Sequence, residues 1–193
     1  MEMQQIHTPR MELVPLLRAH AAELFGAFRD PDIYRFIARK PPSALFELED
    51  RYSRLEARKS EDGHELWLNW AVKLRESGRL VGLVEVTIQS EGKALLAYLF
   101  APSAWGKGYA NESCSRVITD VSERAGVCTF EATVDTRNLR SRRLLERLHF
   151  QFIEERESDE FIGGEKSREM LYRCENKASH SPDPNPVSVT SSE

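Results

Sequence analysis

The sequence predicts an α/β domain: a mixed, mostly antiparallel central sheet of six or seven strands with helices on both faces. Three observations predict it. The apolar pattern switches along the chain between strand-like runs and helical three- and four-residue steps. Three strand-like runs follow one another over residues 66–100, joined by links too short for parallel crossovers. The last part of the folded region then reads strand, helix, strand, strand. At 193 residues, 40% hydrophobic and 30% charged, the chain is long enough for one domain with a sizeable core.

Each element has its own signal. "RMELVPL" (10–16) reads as a short strand, and "RAHAAELFGAF" (18–28) has apolar residues at helical spacing. "ALFELEDRYSRLEARKS" (44–60) is a charged helix with Leu45, Leu48, Tyr52 and Leu55 on one stripe. The antiparallel meander is "LWLNWAVKL" (66–74), "RLVGLVEVTIQ" (79–89) and "KALLAYLF" (93–100), with turns at 76–79 and 90–92. From Gly108 a helix runs to residue 125, its buried face marked by Ala110, Cys114, Val117, Ile118, Val121 and Ala125. "VCTFEATVD" (127–135) is a strand, "NLRSRRLLERL" (138–148) a helix, "FQFIEERE" (150–157) a strand, and "SREMLYRC" (167–174) closes the sheet. The folded domain is expected over 8–175. The tail 176–193, rich in Ser, Pro and Asn, cannot bury enough surface to order itself.

Composition excludes several classes. A net charge of −4, from 27 basic and 31 acidic side chains, does not suit a general nucleic-acid binder. Three widely spaced cysteines without a CxxC pair fit neither a disulfide framework nor a structural zinc, and reduced thiols suit a cytoplasmic protein. The N-terminus has no apolar leader, and no apolar run approaches the roughly 20 residues that a membrane span needs. The expected state is a monomer or homodimer, without nucleic-acid or membrane partners.

The stretch "LFAPSAWGKGYANES" (99–113) carries the chemistry. A strand ends near Phe100, a loop follows with Gly106 and Gly108, and a helix starts at once. The first N–H groups of a helix lack partners inside it and carry partial positive charge. Glycines let a ligand approach the backbone closely. Such a strand, loop and helix form an anion cradle for a phosphate or pyrophosphate, or else a tight loop with no ligand. It is not a P-loop, because Tyr109 follows Gly108, and not a dinucleotide fingerprint, because Asn111 stands at the third glycine.

The stretch resembles the GNAT superfamily of N-acetyltransferases. Their cofactor motif [Q/R]xxGx[G/A] corresponds to Trp105-Gly106-Lys107-Gly108-Tyr109-Ala110, with Trp105 departing at the first place. The form "AxxAWGKGYAxE" is typical of the branch that includes the ribosomal-protein N-terminal acetylases. "NLRSRRLLERLHF" (138–150) resembles that branch's NxxSxxxLxxxGF, with His149 in place of glycine, and "TPRMELVPL" (8–16) its TxRLxLRxL opening strand. The resemblance implies acetyl-CoA as co-substrate, without a metal. It implies a pyrophosphate on the N–H groups from Gly106 to Ala110, and a pantetheine arm that lies along Leu99, Phe100 and Ala101 like an added strand. Asn138 and Ser141 would reach that arm; their spacing with Leu145 and Leu148 places them on one helix stripe. Arg137, Arg140, Arg142, Arg143 and Arg147 form a basic helix face. It is either solvated or lends one or two guanidiniums, Arg142 first, to the cofactor's phosphates.

Acetyl transfer needs an amine without its extra proton, a donor for the oxyanion (a backbone N–H near Leu99) and a proton for the leaving thiolate. Glu85 interrupts an apolar strand and is either a base in an apolar setting or a paired, solvent-facing residue. Many relatives carry an acid on the next strand, where this chain has leucine in "ALLAYLF", and a tyrosine where Leu145 stands. The acid is then Ser141 or Tyr98, the latter otherwise an ordinary sheet aromatic. His149 either titrates near neutral pH or fills the helix–strand corner. Cys114 reads as core.

The expected activity is acetyl-CoA-dependent transfer to a primary amine, at a protein N-terminus or on a small molecule. The acceptor site is expected from residues 18–60 and a loop at 158–166. The acidic runs "FELED" and "ESDE" either attract a cationic acceptor or are solvated surface. The departures at the strand acid and the helix tyrosine favour an alternative, a non-catalytic acyl-CoA-binding sensor or regulatory module of the same fold. A nucleotide-phosphate binder is the third reading.

Overall fold

The computed structural model describes residues 2–89 and 92–176. An eight-stranded sheet in the order β1-β2-β3-β4-β5-β6-β8-β7 forms its centre. The strands are β1 (Ile6–His7), β2 (Met11–Pro15), β3 (Leu66–Leu74), β4 (Leu80–Ile88), β5 (Lys93–Phe100), β6 (Thr129–Asp135), β7 (Gln151–Ile162) and β8 (Glu165–Glu175). All neighbours pair antiparallel except β5 and β6, which run parallel. A parallel pair needs a crossover, and the helix between the two strands supplies it.

Helices cover both faces, as the apolar stripes predict. α1 (His20–Phe28) and α2 (Leu45–Glu56) bury Leu24, Phe28, Leu48 and Tyr52 against Ala71, Leu83 and Leu99 of the sheet. α3 (Tyr109–Ala125) and α4 (Leu139–Arg147) pack Cys114, Val117, Val121, Leu144 and Leu145 against Val84, Val86, Leu96 and Phe130 on the other side. The two-residue alternation of strands fixes which face each polar residue meets. Glu85 shares the parity of Leu83 and faces α1 and α2. Tyr98 shares the parity of Leu96 and Phe100 and faces α3 and α4.

Four expectations need correction. The sheet has eight strands rather than six or seven, because Ile6 and His7 pair with Leu13 and Glu12; two residues are too few to show a period. Packing also begins before residue 8, with Met3 and Ile6 buried in the core. The expected loop at 158–166 is mostly strand: β7 and β8 form one long hairpin that turns at Gly163 and Gly164. β8 does not close the sheet either. It lies between β6 and β7, so β7 is the edge strand. Asn176 is held by its N–H on the Cys128 carbonyl (2.7 Å) and by its amide on Ser122 Oγ (2.7 Å). The expected tail beyond it (177–193) and residues 90–91 of the expected turn lie outside the described residues. No helix among the described residues is long and apolar enough to cross a membrane.

The feature that positions the site is a splay. β5 and β6 pair only at Lys93–Thr129, Ala94–Phe130 and Leu95–Glu131. Beyond Leu95 they separate, and a cleft of about 1840 Å³ opens between their ends. It runs from the start of α3, past β5 and α4, to the segment that links α1 to α2.

Candidate active site

The cradle at the head of α3 is built from two left-handed glycines. Gly106 has φ +73° and Gly108, the N-cap, has φ +79°. Side chains rarely adopt that region, so glycine is favoured at both positions. Residues 106–108 are exposed. The Glu112 N–H is bonded to the Gly108 carbonyl (3.1 Å), so the helix ladder starts there and the N–H groups before it head the helix.

Arg10 fixes this loop from β2's side. Its Nη1 donates to the Lys107 carbonyl (2.9 Å) and its Nε to Glu112 Oε2 (2.7 Å). Its guanidinium also lies 4.7 Å from the centre of the Tyr109 ring. Burial pulls the Glu112 carboxyl upward, but hydrogen bonds from Thr8 and Arg10 outweigh it and hold the group below its usual range. Arg10 is a member of the opening strand motif. Its role in anchoring a loop nearly a hundred residues away was not read from the sequence.

The open edge of β5 comes next. Ala101 donates its N–H to Val81 on β4 (2.9 Å). By ladder alternation the Leu99 amide faces β4 as well, and the edge toward the splay belongs to Leu96, Tyr98 and Phe100. The backbone donor expected near Leu99 is therefore sought at Tyr98 and Phe100. The Phe100 carbonyl already accepts from Trp105 Nε1 (2.8 Å), and Arg140 lies 5.1 Å over that indole. Ala101 is buried and does not line the cleft, unlike Leu99, Phe100 and Trp105.

Across the splay stands α4. The Asn138 side-chain oxygen accepts from the Ser141 N–H (3.1 Å), which caps the helix and leaves the amide nitrogen for other bonds. Ser141 Oγ and the Tyr98 hydroxyl are 2.6 Å apart, so β5 and α4 meet through a hydroxyl pair on the cleft wall. Burial pushes the Tyr98 hydroxyl above its ordinary value, and it stays protonated. Leu145 of α4 is buried in the core.

Arg142 is placed differently from expectation. Its guanidinium reaches the Thr136 carbonyl (3.2 Å) and the Tyr172 hydroxyl (3.4 Å), while Arg140, Arg143 and Arg147 line the cleft. The side chain of Lys107 does not line it. His149 fills no corner. It is exposed at φ +64°, with its N–H on Glu146 and that of Phe150 on Leu145. This is the helix-ending turn that glycine usually supplies. Cys114 is fully buried core, as its helical position implies, and burial pushes its thiol up.

On the opposite face the setting of Glu85 is not apolar. Arg51 of α2 donates through Nη2 to its Oε1 at 3.0 Å, with both side chains largely buried. Arg39, on the segment between α1 and α2, lines the same wall. Arg39 and Arg51 gave no sequence signal, since one lies in irregular chain and the other in a charged helix that reads as solvated. Asn69 gave one: a lone amide within the apolar strand "LWLNWAVKL".

Comparison with known proteins agrees with this architecture. A family model described as acetyltransferase (GNAT) domain matches residues 10–151. An uncharacterized N-acetyltransferase of Bacillus subtilis, YoaA, is 23% identical over 148 residues, covering 76% of this chain and 82% of its own. A solved structure of RimL, a ribosomal α-N-protein acetyltransferase in complex with coenzyme A, superposes with a TM-score of 0.79 at 15% identity, covering 91% of this chain and 99% of that one. The microcin self-immunity acetyltransferase MccE, in complex with acetyl-CoA and AMP, gives 0.76 at 14% identity over 87% and 93%.

Proposed function

We propose that this chain, which belongs to the GNAT acetyltransferase family, moves an acetyl group from acetyl-CoA directly to a primary amine. One observation carries the reading: a single cleft joins the glycine cradle, the open edge of β5, the Tyr98–Ser141 pair and Glu85. The solved relatives RimL and MccE hold coenzyme A and acetyl-CoA, respectively. An open helix N-terminus with a glycine loop and an unpaired strand edge fits that molecule's pyrophosphate and its amide-rich arm.

Acetyl-CoA supplies an activated thioester. The N–H groups of Gly106, Lys107, Gly108, Tyr109 and Ala110 bind its pyrophosphate, with the Trp105 indole beside them. The strand end at Leu99 and Phe100 lies along its arm, through the edge groups of Leu96, Tyr98 and Phe100, and Asn138 and Ser141 close on it from α4. Arg140, Arg143 and Arg147 line the same wall and take the place first given to Arg142. Glu85 receives the proton that the acceptor ammonium must lose. The amine nitrogen then forms its bond to the acetyl carbon as the carbon–sulfur bond breaks. Backbone N–H groups on the β5 edge stabilise the oxyanion. Tyr98, oriented by Ser141, hands a proton to the leaving sulfur, and the second proton lost by nitrogen replaces it. The products are an acetamide and free CoA thiol, with one proton released overall.

The test incubates the protein with acetyl-CoA and a panel of amines and peptides, following thiol release and product mass. One acetyl per amine, with stoichiometric thiol, is the expected result. Saturable acetyl-CoA binding with no turnover across the panel would overturn the reading in favour of a non-catalytic acyl-CoA-binding module.

A further inference from the structure

Glu85 sits in a row of residues whose chemistry points beyond a generic amine. In the register of the sheet, Asn69 on β3 and Ala97 on β5 flank it on the α1–α2 face. Behind it lies a recess of about 340 Å³ lined by Arg51, Asn69, Glu85, Thr87 and Thr133, among others. Asn69 is 4% exposed, and its Nδ2 donor has no hydrogen-bond partner among the described residues. The hydroxyl of Tyr52, which is fully buried on α2, likewise has none. A buried donor without a partner is costly unless a ligand meets it.

The charges lean the same way. On the α1–α2 side the cleft is lined by Arg35, Arg39 and Arg51 against Asp32 and Glu85, so three guanidiniums stand against two carboxylates. The Arg39 guanidinium lies 5.6 Å from the centre of the Tyr34 ring, which fixes it over an aromatic face. Burial first, and then the nearby Arg51 charge, lowers its hold on its proton. Arg39, together with Arg51 ion-paired to Glu85 and the unmet Asn69 amide in the recess behind Glu85, forms a receptor for an oxoanion. They occupy the α1–α2 face, whereas the glycine cradle belongs to α3 across the sheet. The cofactor's phosphates are thus served elsewhere. Of the acidic runs that suggested a cationic acceptor, Glu47 is bonded by Ser43, Glu49 by Arg18 and Glu157 by Lys166, while Glu160 lines the cleft on the β7 side, away from Arg39 and Arg51.

Resting on the transferase reading above, we infer that the acceptor is an amine with a neighbouring oxoanion, a carboxylate or a phosphate, gripped by Arg39 and Arg51 while Glu85 takes the amino group. The shared chemistry is the oxoanion beside the amine. A free amino acid or an N-terminal acidic residue supplies it as carboxylate, and a phosphorylated amine as phosphate.

The experiment compares matched probes with the full chain: glutamate, its diamide, phosphoethanolamine and spermidine. Turnover is read as kcat/KM by thiol release, and binding by calorimetry. At least one oxoanion probe is expected to exceed the diamide and spermidine by about tenfold or more, the range of a charge-assisted pair. Glutamate against phosphoethanolamine distinguishes the two sources. Arg39→Gln should compress the oxoanion-to-neutral ratio toward one, and Arg39→Lys should keep most of it, which separates lost charge from a lost fold. A preference for the diamide or spermidine, or an unchanged ratio in Arg39→Gln, would overturn the inference. If no probe turns over, the transferase reading fails on its own, and calorimetry still decides: oxoanion binding lost in Arg39→Gln supports the site, and equal binding of all probes overturns it.

Discussion

The two halves of the cleft are made of different material. Under α3 and α4 the wall sets backbone groups beside its side chains: two left-handed glycines, a helix N-terminus and the free edge of β5. Under α1 and α2 it is side chain: Arg39, Arg51, Glu85 and Asn69, from four separate segments. Backbone donors suit a ligand part that is always the same, because their geometry is set by the fold. Side chains suit a part that differs between relatives, because each can change without moving the sheet. Under the proposed function, the first half takes the acetyl donor and the second the acceptor.

The hydroxyl pair at the junction gives the largest expected effect. Tyr98→Phe removes the hydroxyl paired across the splay, while Ser141 Oγ, 2.6 Å away, remains. A positioned proton donor contributes about 10²–10⁴-fold, so kcat should fall about 100-fold with acetyl-CoA affinity nearly unchanged. Ser141→Ala should fall less, since Tyr98 keeps its proton. The reverse order, measured by steady-state kinetics, would make Ser141 the donor and Tyr98 its support.

Legibility divides along the same line. The glycine cradle was readable because left-handed backbone and close ligand approach both favour glycine, and the sequence shows it at Gly106 and Gly108. Cys114 and the apolar stripe of α3 were readable because one helix face must be buried. Arg39 and Arg51 were not, since any exposed helix or loop carries arginines and only the fold brings these two to Glu85. For Glu85 itself the position was legible and the setting was not, because its partner lies 34 residues away on α2. Arg142 shows the limit within a single helix: a step of one residue turns a guanidinium from the cleft to Thr136.

Gly108→Val tests the backbone half. The variant forces a branched side chain into φ +79°, and its Cβ would meet Arg10 Nη2 at 3.3 Å. Left-handed strain of about 1–2 kcal/mol, taken from the bound geometry, corresponds to roughly five- to thirtyfold weaker acetyl-CoA binding. Calorimetry checks it. Unchanged affinity would mean that the pyrophosphate is not held at this loop.

The smallest effect concerns the wall of β6, where side chains again do the holding. Asp135 ends that strand with its carboxylate almost fully buried, accepting from the Arg137 guanidinium at 2.9 Å and from Ser167 of β8 at 3.0 Å. Burial pulls its proton affinity up, but the Arg137 and Ser167 bonds outweigh burial and hold it below the ordinary carboxylate range. The unfolded chain therefore binds this proton more readily than the native one. The stabilisation is complete above the ordinary carboxylate value of about 3.9 and fades as pH falls through the lower native value. Asp135→Asn should thus lower the melting temperature at neutral pH, by a few degrees if the charged bonds contribute about 1–2 kcal/mol. The gap from the parent protein should narrow below about pH 4, where the parent carboxylate takes up its own proton. A gap that stays constant down to the acid transition would show that Asp135 supports the splayed wall by shape rather than by charge.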